Sequence, residues 1–286
     1  MAVPSARANS AVTFDSKRQV MVLFSGGGLN GLLTDTWEFD GSAWSDVSPT
    51  GVSPEFRTDH DLAYDSGRER VVLFGGAATT SDRGDTWEWD GSAWLERTPA
   101  DSPSPRRGHT MAFDPNSSKT YLFGGYQYNG SWLSDFWEWD GTNWTELTGT
   151  MPPARSGHAM VYDHAAGGIL LYGGYSDVGG RLSDTWFWNG SSWTEMAVGA
   201  GPPGRNSHAL AAHTEQGKVI LFGGEFGSND LAPGTWEWDG SAWSDISGAG
   251  GWPEPRNGGV MSYDPARNYI LLYGGSFGIG DIRAET

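Results

Sequence analysis

The sequence predicts an all-β protein assembled from copies of one strand-rich unit. Two observations lead to this fold class. A phrase rich in tryptophan occurs five times in the 286 residues, and an arginine opens each unit at a spacing of about 50 residues. The clearest copy of the phrase is Asp85–Trp94, which reads Asp-Thr-Trp-Glu-Trp-Asp-Gly-Ser-Ala-Trp. The other copies are Asp35–Trp44, Asp135–Trp144, Asp184–Trp193 and Gly234–Trp243.

The phrase predicts a β-hairpin. Trp87 and Trp89 are two residues apart, so they share one face of an extended strand. Asp90-Gly91 favours a tight turn, because glycine accepts a positive φ and aspartate bonds nearby backbone. Trp94 then begins the returning strand. Each indole brings roughly 150–250 Å² of surface to bury. One hairpin cannot hide that area, so we expect the copies to pack on one another.

Two further strands are predicted ahead of each hairpin. The first is typified by His109–Phe113, which ends in a turn at Asp114. The second is typified by Val71–Phe74 and is apolar on both faces, which indicates a strand buried between other sheets. It ends in Gly75-Gly76, where backbone conformation or close packing should exclude a Cβ atom. The first unit departs from this pattern with Ser25-Gly26.

Four consecutive strands in a repeat of about 50 residues, with both faces buried, are typical of a propeller blade. The pattern Arg57-x-x-His60, Gly75-Gly76, Asp85-Thr86-Trp87 and Trp94 resembles a kelch repeat, and it covers nearly the whole chain. The resemblance implies a kelch β-propeller. It places the arginine-led strand innermost and the Trp94-type strand outermost. It also implies that the arginine-side loops and the Gly-Gly loops share one face, around the mouth of a central channel.

We therefore expect one propeller domain over residues 1–286, with six pseudo-repeats of which the last is incomplete. The units start near Arg7, Arg57, Arg106, Arg155, Arg205 and Arg256. The sixth unit has its first two strands, Val260–Tyr263 and Ile270–Tyr273, but no tryptophan hairpin before Arg283–Thr286. An unpaired apolar strand edge invites pairing with another chain. The sequence thus predicts a fragment of a longer protein, or self-association through an open sixth blade.

Composition excludes several classes of function. The chain has no cysteine, which removes disulfides, thiolate metal sites and cysteine nucleophiles. Its formal net charge of −17 argues against nucleic acid or an anionic membrane surface as partner. No apolar run approaches the roughly 20 residues that span a membrane, and the first residues lack a signal-peptide pattern. No cofactor is expected, and the compartment is not indicated.

The candidate ligand-binding residues lie on the arginine side. The resemblance implies that blade-start arginines can hold acidic peptides, for which a bidentate guanidinium is suited. The alternative is that they brace the blades through carboxylates like that of Asp85. The repeated histidines could line the channel or bind a metal, or instead bond the adjacent blade. The complete predicted set is Arg57, His60, Arg106, Arg107, His109, Tyr126, Tyr128, Trp132, Arg155, His158, Arg205, His208, Glu225 and Arg256.

One loop breaks the symmetry of the repeat. Residues Tyr126–Trp132 are rich in aromatic side chains, where the other units have small and polar ones, and Glu225 and Phe226 hold a comparable place in the fifth unit. Aromatic rings at a channel mouth suit the stacking of a sugar or a peptide. The alternative is a loop folded on its own rings.

The favoured function is a non-catalytic binding or interaction scaffold, with a protein, peptide or carbohydrate ligand at the channel mouth. The alternative is a carbohydrate-active enzyme, similar to the sugar-acid epimerases built on kelch propellers. Copper chemistry of the galactose oxidase type is excluded, because that site needs a cysteine. Ser81–Trp87 resembles a sialidase Asp-box but is one residue short. No catalytic triad, metal-ligand spacing or phosphate loop is identified.

Overall fold

The computed structural model describes residues 2–29, 31–227, 230–278 and 282. These residues form an all-β propeller with five four-stranded antiparallel blades, each with its strands in chain order from the inside out. A further two-stranded sheet follows the fifth blade. Among the described residues, no helix is long and apolar enough to cross a membrane.

The strands follow the repeat along the chain. Blade one contains β2 (Ala11–Asp15), β3 (Val20–Gly28), β4 (Gly31–Phe39) and β5 (Trp44–Asp46), and the short β1 (Arg7–Ala8) pairs with the end of β3. Blade two contains β6 (Asp61–Asp65), β7 (Arg70–Ala77), β8 (Asp82–Trp89) and β9 (Trp94–Arg97). Blade three contains β10 (Thr110–Asp114), β11 (Lys119–Tyr126), β12 (Trp132–Trp139) and β13 (Trp144–Leu147).

Blade four contains β14 (Ala159–Asp163), β15 (Gly168–Tyr172), β18 (Thr185–Trp188) and β19 (Trp193–Glu195), with the small hairpin β16 (Tyr175–Ser176) and β17 (Gly180–Arg181) in its loop. Blade five contains β20 (Ala209–His213), β21 (Lys218–Phe222), β22 (Thr235–Trp238) and β23 (Trp243–Asp245), followed by the 3₁₀ helix Ser247–Ala249. The two-stranded sheet consists of β24 (Val260–Asp264) and β25 (Tyr269–Tyr273).

The tryptophan hairpins lock neighbouring blades together. In blade three, Trp139 lies opposite Trp144, with ring centres 5.4 Å apart, and both indoles are fully buried. The Trp144 indole N–H donates to the Thr86 hydroxyl of blade two over 2.9 Å, and the Trp94 indole bonds Thr36 of blade one in the same way. The outermost strand of one blade is therefore fixed to the third strand of the blade before it.

The Gly-Gly pairs need glycine for both predicted reasons. Gly75 and Gly76 have φ values of 63° and 106°, a region that favours glycine. A Cβ atom on Gly75 would lie 2.8 Å from the Arg106 carbonyl oxygen of the next blade, which is too close. In blade one the first position is Ser25, with φ 55°, and its hydroxyl accepts the Arg57 N–H and donates to the Leu33 carbonyl over 2.6 Å. A small polar side chain is thus accommodated there by hydrogen bonding.

The two-stranded sheet lies between blade five and blade one. Its inner strand β24 packs between β20 of blade five and β2 of blade one, and Leu271 and Tyr273 join a hydrophobic cluster with Met21 and Leu23. The Tyr273 hydroxyl also donates to the Pro4 carbonyl over 2.7 Å. The sequence predicted six units, and five four-stranded blades are described. The predicted stop at Arg283–Thr286 lies outside the described residues.

Candidate functional site: the mouth of the central channel

The innermost strands surround a central cavity of about 580 Å³. Each of these strands pairs on one edge only, so its other edge of backbone N–H and C=O groups faces the cavity. The side chains of the same strands alternate toward the two neighbouring blades. The channel wall is therefore largely backbone, and its side-chain chemistry is set by the few polar residues that reach it.

A ring of six backbone hydrogen bonds closes around the channel mouth. Each member donates its N–H to the carbonyl of the equivalent residue in the preceding unit, over 2.7–3.0 Å. Each also has a positive φ between 54° and 62°, which turns its peptide groups toward its neighbours. The members are Asn9, Asp59, Gly108, Gly157, Ser207 and Gly258. The mouth thus has a rigid rim, and residues next to it are held in defined positions.

The blade-start arginines are buried in this rim. The side chains of Arg7, Arg57, Arg106 and Arg155 are fully buried, and each makes a bidentate pair with an aspartate of its own blade, with N–O distances of 2.6–2.8 Å. The aspartates are Asp35, Asp85, Asp135 and Asp184.

Their backbone links the blades as well. The Arg106 carbonyl accepts from Gly76 N–H of the preceding blade over 2.8 Å, and equivalent bonds recur around the ring. Burial alone would raise the pKa of Asp85 and Asp135, but the hydrogen bonds and charge of the paired arginines hold it below its usual value. The guanidinium groups of these four arginines therefore pair with carboxylates, as the alternative interpretation held, but within one blade, and the link between blades is made by the backbone.

The last two blade-start arginines, Arg205 and Arg256, differ from the first four in their contacts. Arg205 is fully buried but has Gly234 where the other blades have aspartate, and its guanidinium bonds only carbonyl oxygens among the described residues. Arg256 lies over the Phe277 ring, with its Cζ atom 4.5 Å from the ring centre, and it bonds the Gly274 carbonyl.

The four repeated histidines are also buried between blades. Their exposed fractions are 2–6 %, and each ring meets the preceding blade's aromatic ring edge-on, at centre distances of 5.5–5.7 Å. The pairs are His60–Phe24, His109–Phe74, His158–Phe123 and His208–Tyr172.

Their ionisation follows from burial. Burial, together with the charge of the neighbouring arginine, lowers the pKa of His109 and of His208 to about 3, although the Phe74 or Tyr172 backbone opposes the shift. No ring nitrogen of the four makes a hydrogen bond of good geometry to a described residue. The histidines are therefore neutral packing groups that contact the adjacent blade through their rings. Among the described residues, no group of three His, Asp or Glu is arranged to hold a metal.

A continuous arc of aromatic and charged side chains lies just outside the rim, and we call it the mouth arc. It runs through the strand ends and loops of blades two to five, and its members are Asp82, Arg107, Tyr126, Tyr128, Trp132, Tyr175, Arg181 and Glu225. These loops lie on the arginine side, because the residue after each arginine pairs with the residue after each Gly-Gly, as in Arg107 with Tyr126. This confirms the shared face that the kelch resemblance implied.

The first half of the mouth arc is centred on Arg107. Its guanidinium lies 5.9 Å from the Tyr126 ring centre and 5.7 Å from that of Tyr128, within reach of a cation–π contact. Asp82 of blade two pairs with Arg107 over 2.8 Å and also accepts the Tyr128 backbone N–H. Tyr128 nevertheless remains 62 % exposed.

The second half crosses to blade four. Trp132 packs on Tyr126 at 4.8 Å and on Tyr175 at 5.5 Å, so one indole joins the loops of two blades. The Arg181 guanidinium lies 5.8 Å from the Tyr175 ring and pairs with Glu225 of blade five over 3.0 Å. The Tyr126–Trp132 loop is thus folded on its own rings. Tyr128 of this loop and Tyr175 of blade four nevertheless remain exposed, and the exposed fraction of Tyr175 is 37 %.

One carboxyl group stands apart in the channel wall. Asp61 is on the inner strand of blade two, where the equivalent residues are Ala11, Thr110, Ala159, Ala209 and Val260. It accepts the N–H of Leu62 over 2.8 Å and the N–H of Met111, from the next blade, over 2.6 Å. Burial nevertheless raises the pKa of Asp61 to about 7. This carboxyl group titrates near neutral pH.

The structure thus separates the predicted site residues into two groups. The five arginines and four histidines of the repeat are buried within the walls, whereas Arg107, Tyr126, Tyr128, Trp132 and Glu225 meet on the mouth arc. Sequence reasoning missed Asp82, Tyr175, Arg181 and Asp61. The signal for Asp61 was available, since it is an acid at a position that is small or apolar in the other copies.

Comparisons with known proteins agree on the fold. Residues 143–283 match the family model described as the KLHDC2/KLHL20/DRC7 Kelch-repeats domain. The solved structure titled "Structure of YjhT" is similar in fold, with a TM-score of 0.77 at 16 % identity, over 100 % of this chain and 95 % of that one. A comparison with curated proteins finds no match. The five blades, the repeated Arg, Gly-Gly and Trp positions and the family match over residues 143–283 together support a kelch-repeat β-propeller.

Proposed function

We propose that this propeller is a non-catalytic binding scaffold whose ligand is a segment of another protein, seated on the mouth arc. The observation that carries the proposal is the exposure of Tyr128 and Tyr175 on the mouth arc, where Tyr175 packs on the partly buried Trp132. Large aromatic rings held rigidly at a surface are typical binding hot spots. The rim and the ion pairs hold these rings in place before a ligand arrives, which lowers the entropic cost of binding.

The charges on the arc favour a particular kind of ligand. Arg107 and Arg181 already pair with Asp82 and Glu225, so the arc offers apolar ring surface rather than a free cation. The chain as a whole carries a formal charge of −17, which attracts cationic partners at long range. The proposed ligand is therefore a peptide segment with an apolar or aromatic anchor and basic flanking residues.

The ring architecture is part of the same proposal. We take residues 1–286 as one propeller of six units, in which β24 and β25 are the inner strands of the sixth blade. The six-membered hydrogen-bond rim and the packing of β24 between blades five and one support this count. The outer edge of β25 would then be the place where further strands add, including those of a second copy.

A peptide-library selection tests the proposed ligand site. Basic peptides with one aromatic or aliphatic anchor are selected on the wild-type protein. The enriched peptides are then tested on the double variant Tyr128→Ala/Tyr175→Ala, in which both exposed rings are removed. His164→Ala is the matched control, because His164 is exposed in a turn on the opposite face. Peptides that bind the double variant as well as the wild type would refute the proposal.

The enzyme alternative is favoured by Asp61 alone. A carboxyl group with a pKa near 7 suits general acid–base catalysis at neutral pH, and it lies in a cavity large enough for a small sugar. Turnover of acidic sugars, monitored by NMR, tests this alternative. Activity that is lost in Asp61→Asn and kept in Tyr128→Ala/Tyr175→Ala would replace the scaffold proposal with an enzyme.

A further inference from the structure

Arg205 is the one blade-start arginine with a fully buried side chain and no carboxylate partner among the described residues. Its pose is nevertheless that of the others. Its Nε donates to the Pro203 carbonyl over 3.1 Å and its Nη1 to the Gly223 carbonyl over 3.0 Å. The corresponding bonds of Arg155 in blade four measure 2.9 and 3.0 Å. The carbonyl groups therefore hold the guanidinium in position even without an acid.

In blade four, an arginine in the same pose pairs with an aspartate. Nη1 and Nη2 of Arg155 each donate to one oxygen of Asp184 over 2.7 Å, and the Trp186 indole N–H donates to the same carboxylate over 2.7 Å. Blade five has Trp236 at the indole position and Gly234 at the acid position. Blade five therefore keeps the arginine and the tryptophan whose N–H groups hold a carboxylate in blades one to four.

This place is open to solvent. The side chains of the four paired aspartates are 19–23 % exposed, although their arginines are fully buried. Gly234 has a φ of 89°, and a Cβ atom on it would lie 3.1 Å from the Trp236 indole nitrogen and 3.0 Å from the Ser247 hydroxyl oxygen. We therefore expect a small anion to reach the equivalent place in blade five from solvent.

The electrostatics favour an anion there. Burial lowers the pKa of Arg205 to about 10, so the guanidinium remains charged at neutral pH, at a cost in desolvation. Asp245 opposes this shift from a distance, but its carboxylate is exposed and bonded to Ser247. Nη2 of Arg205 has only a long contact of 3.4 Å, to the Pro233 carbonyl.

We propose that blade five binds an external carboxylate against Arg205 and Trp236, in the place that an aspartate side chain fills in the other blades. The ligand class is a small carboxylate anion, held by the bidentate guanidinium and the indole N–H. Carboxylate matches this planar pair of N–H donors better than a spherical halide does. The site is separate from the mouth arc, so it does not depend on the proposed peptide-binding function.

The test is a titration with sodium formate against sodium chloride at constant ionic strength, observed by NMR of the indole N–H groups. The Trp236 signal, assigned with Trp236→Phe, is expected to shift and saturate with a Kd on the order of millimolar, as befits a ligand of three heavy atoms. The Trp186 signal should not move, because its N–H is already bonded to Asp184. A Trp236 signal that is unmoved by formate, or moved equally by chloride, would overturn the proposal.

A second variant shows whether the receptor geometry is responsible. Asp184→Ala removes the acid from blade four and leaves Arg155 and Trp186 in place, so the Trp186 signal should become responsive to formate, and the lowered Tm should rise with formate but not with chloride. Arg205→Met should abolish the Trp236 response. A Trp236 shift that persists in Arg205→Met would assign the response to another site and overturn the proposal.

Discussion

Replacing Trp144 by alanine tests how the blades are joined. Trp144 is fully buried, packs on Phe74 of blade two at 5.4 Å, and donates its indole N–H to Thr86 over 2.9 Å. At roughly 25 cal/mol per Å², the roughly 200 Å² of an indole corresponds to about 5 kcal/mol as an upper limit. Measured aromatic-to-alanine changes in cores cost about 3–5 kcal/mol. We therefore expect Trp144→Ala to lower the free energy of unfolding by about 3–5 kcal/mol.

The assay is urea unfolding followed by fluorescence and circular dichroism at constant pH. The chain supplies an internal comparison, because Trp193 occupies the same position in blade four but faces Phe136 instead of threonine, and its indole N–H has no acceptor among the described residues. Trp144→Phe should then cost about 1 kcal/mol more than Trp193→Phe, the net value of one hydrogen bond. A Trp144→Ala protein that unfolds at the wild-type urea concentration would refute the packing of blades through their hairpins.

Two further predictions concern the buried charges and histidines. Below pH 6.5 the unfolded chain protonates its histidines while the folded His109, with a pKa of about 3, stays neutral, so stability is lost as the pH falls from about 6.5 toward 3. His109→Ser, which copies Ser10 of blade one, should reduce the slope of unfolding free energy against pH by about 1.4 kcal/mol per pH unit; an unchanged slope would show that His109 protonates in the folded state. Asp61 titrates with the opposite sign, so the comparison is made between variant and wild type. Asp135→Asn leaves the buried Arg106 without its anion and should cost about 3–5 kcal/mol in urea unfolding, whereas Asp140→Asn in an exposed turn should cost about 1 kcal/mol or less; equal losses would contradict the brace.

The repeat made most of the fold predictable. The same residue types recur at equivalent positions in the units, so each unit is independent evidence for the same local structure. The strands at Val71–Phe74 and Asp85–Trp94, the turns and the Gly-Gly pairs could therefore be predicted from local chemistry. The contacts between neighbouring blades were harder to predict from the sequence, because they depend on the angle between the sheets. The stacking of Trp132 on Tyr175, 43 residues later in the chain, is set by that angle and by two loops that differ in length.

The site was predicted only in part for a related reason. A regular position such as Arg106 serves the fold in every copy, and its pairing with Asp135 is visible in the sequence only as two residues 29 positions apart. Positions at which one unit departs from the repeat carried more information about the site. The aromatic loop at Tyr126–Trp132 lies on the mouth arc, and the change from aspartate to Gly234 leaves Arg205 with a different set of partners.

The most direct test of the central claim is the affinity of a selected peptide for three proteins, measured by fluorescence anisotropy. Wild type and His164→Ala should have the same Kd. In Tyr128→Ala/Tyr175→Ala the Kd should rise about thirtyfold, which corresponds to about 2 kcal/mol for the loss of an aromatic hot spot. Equal affinity for the wild type and the double variant, with loss of binding in His164→Ala, would place the ligand on the opposite face and contradict the account.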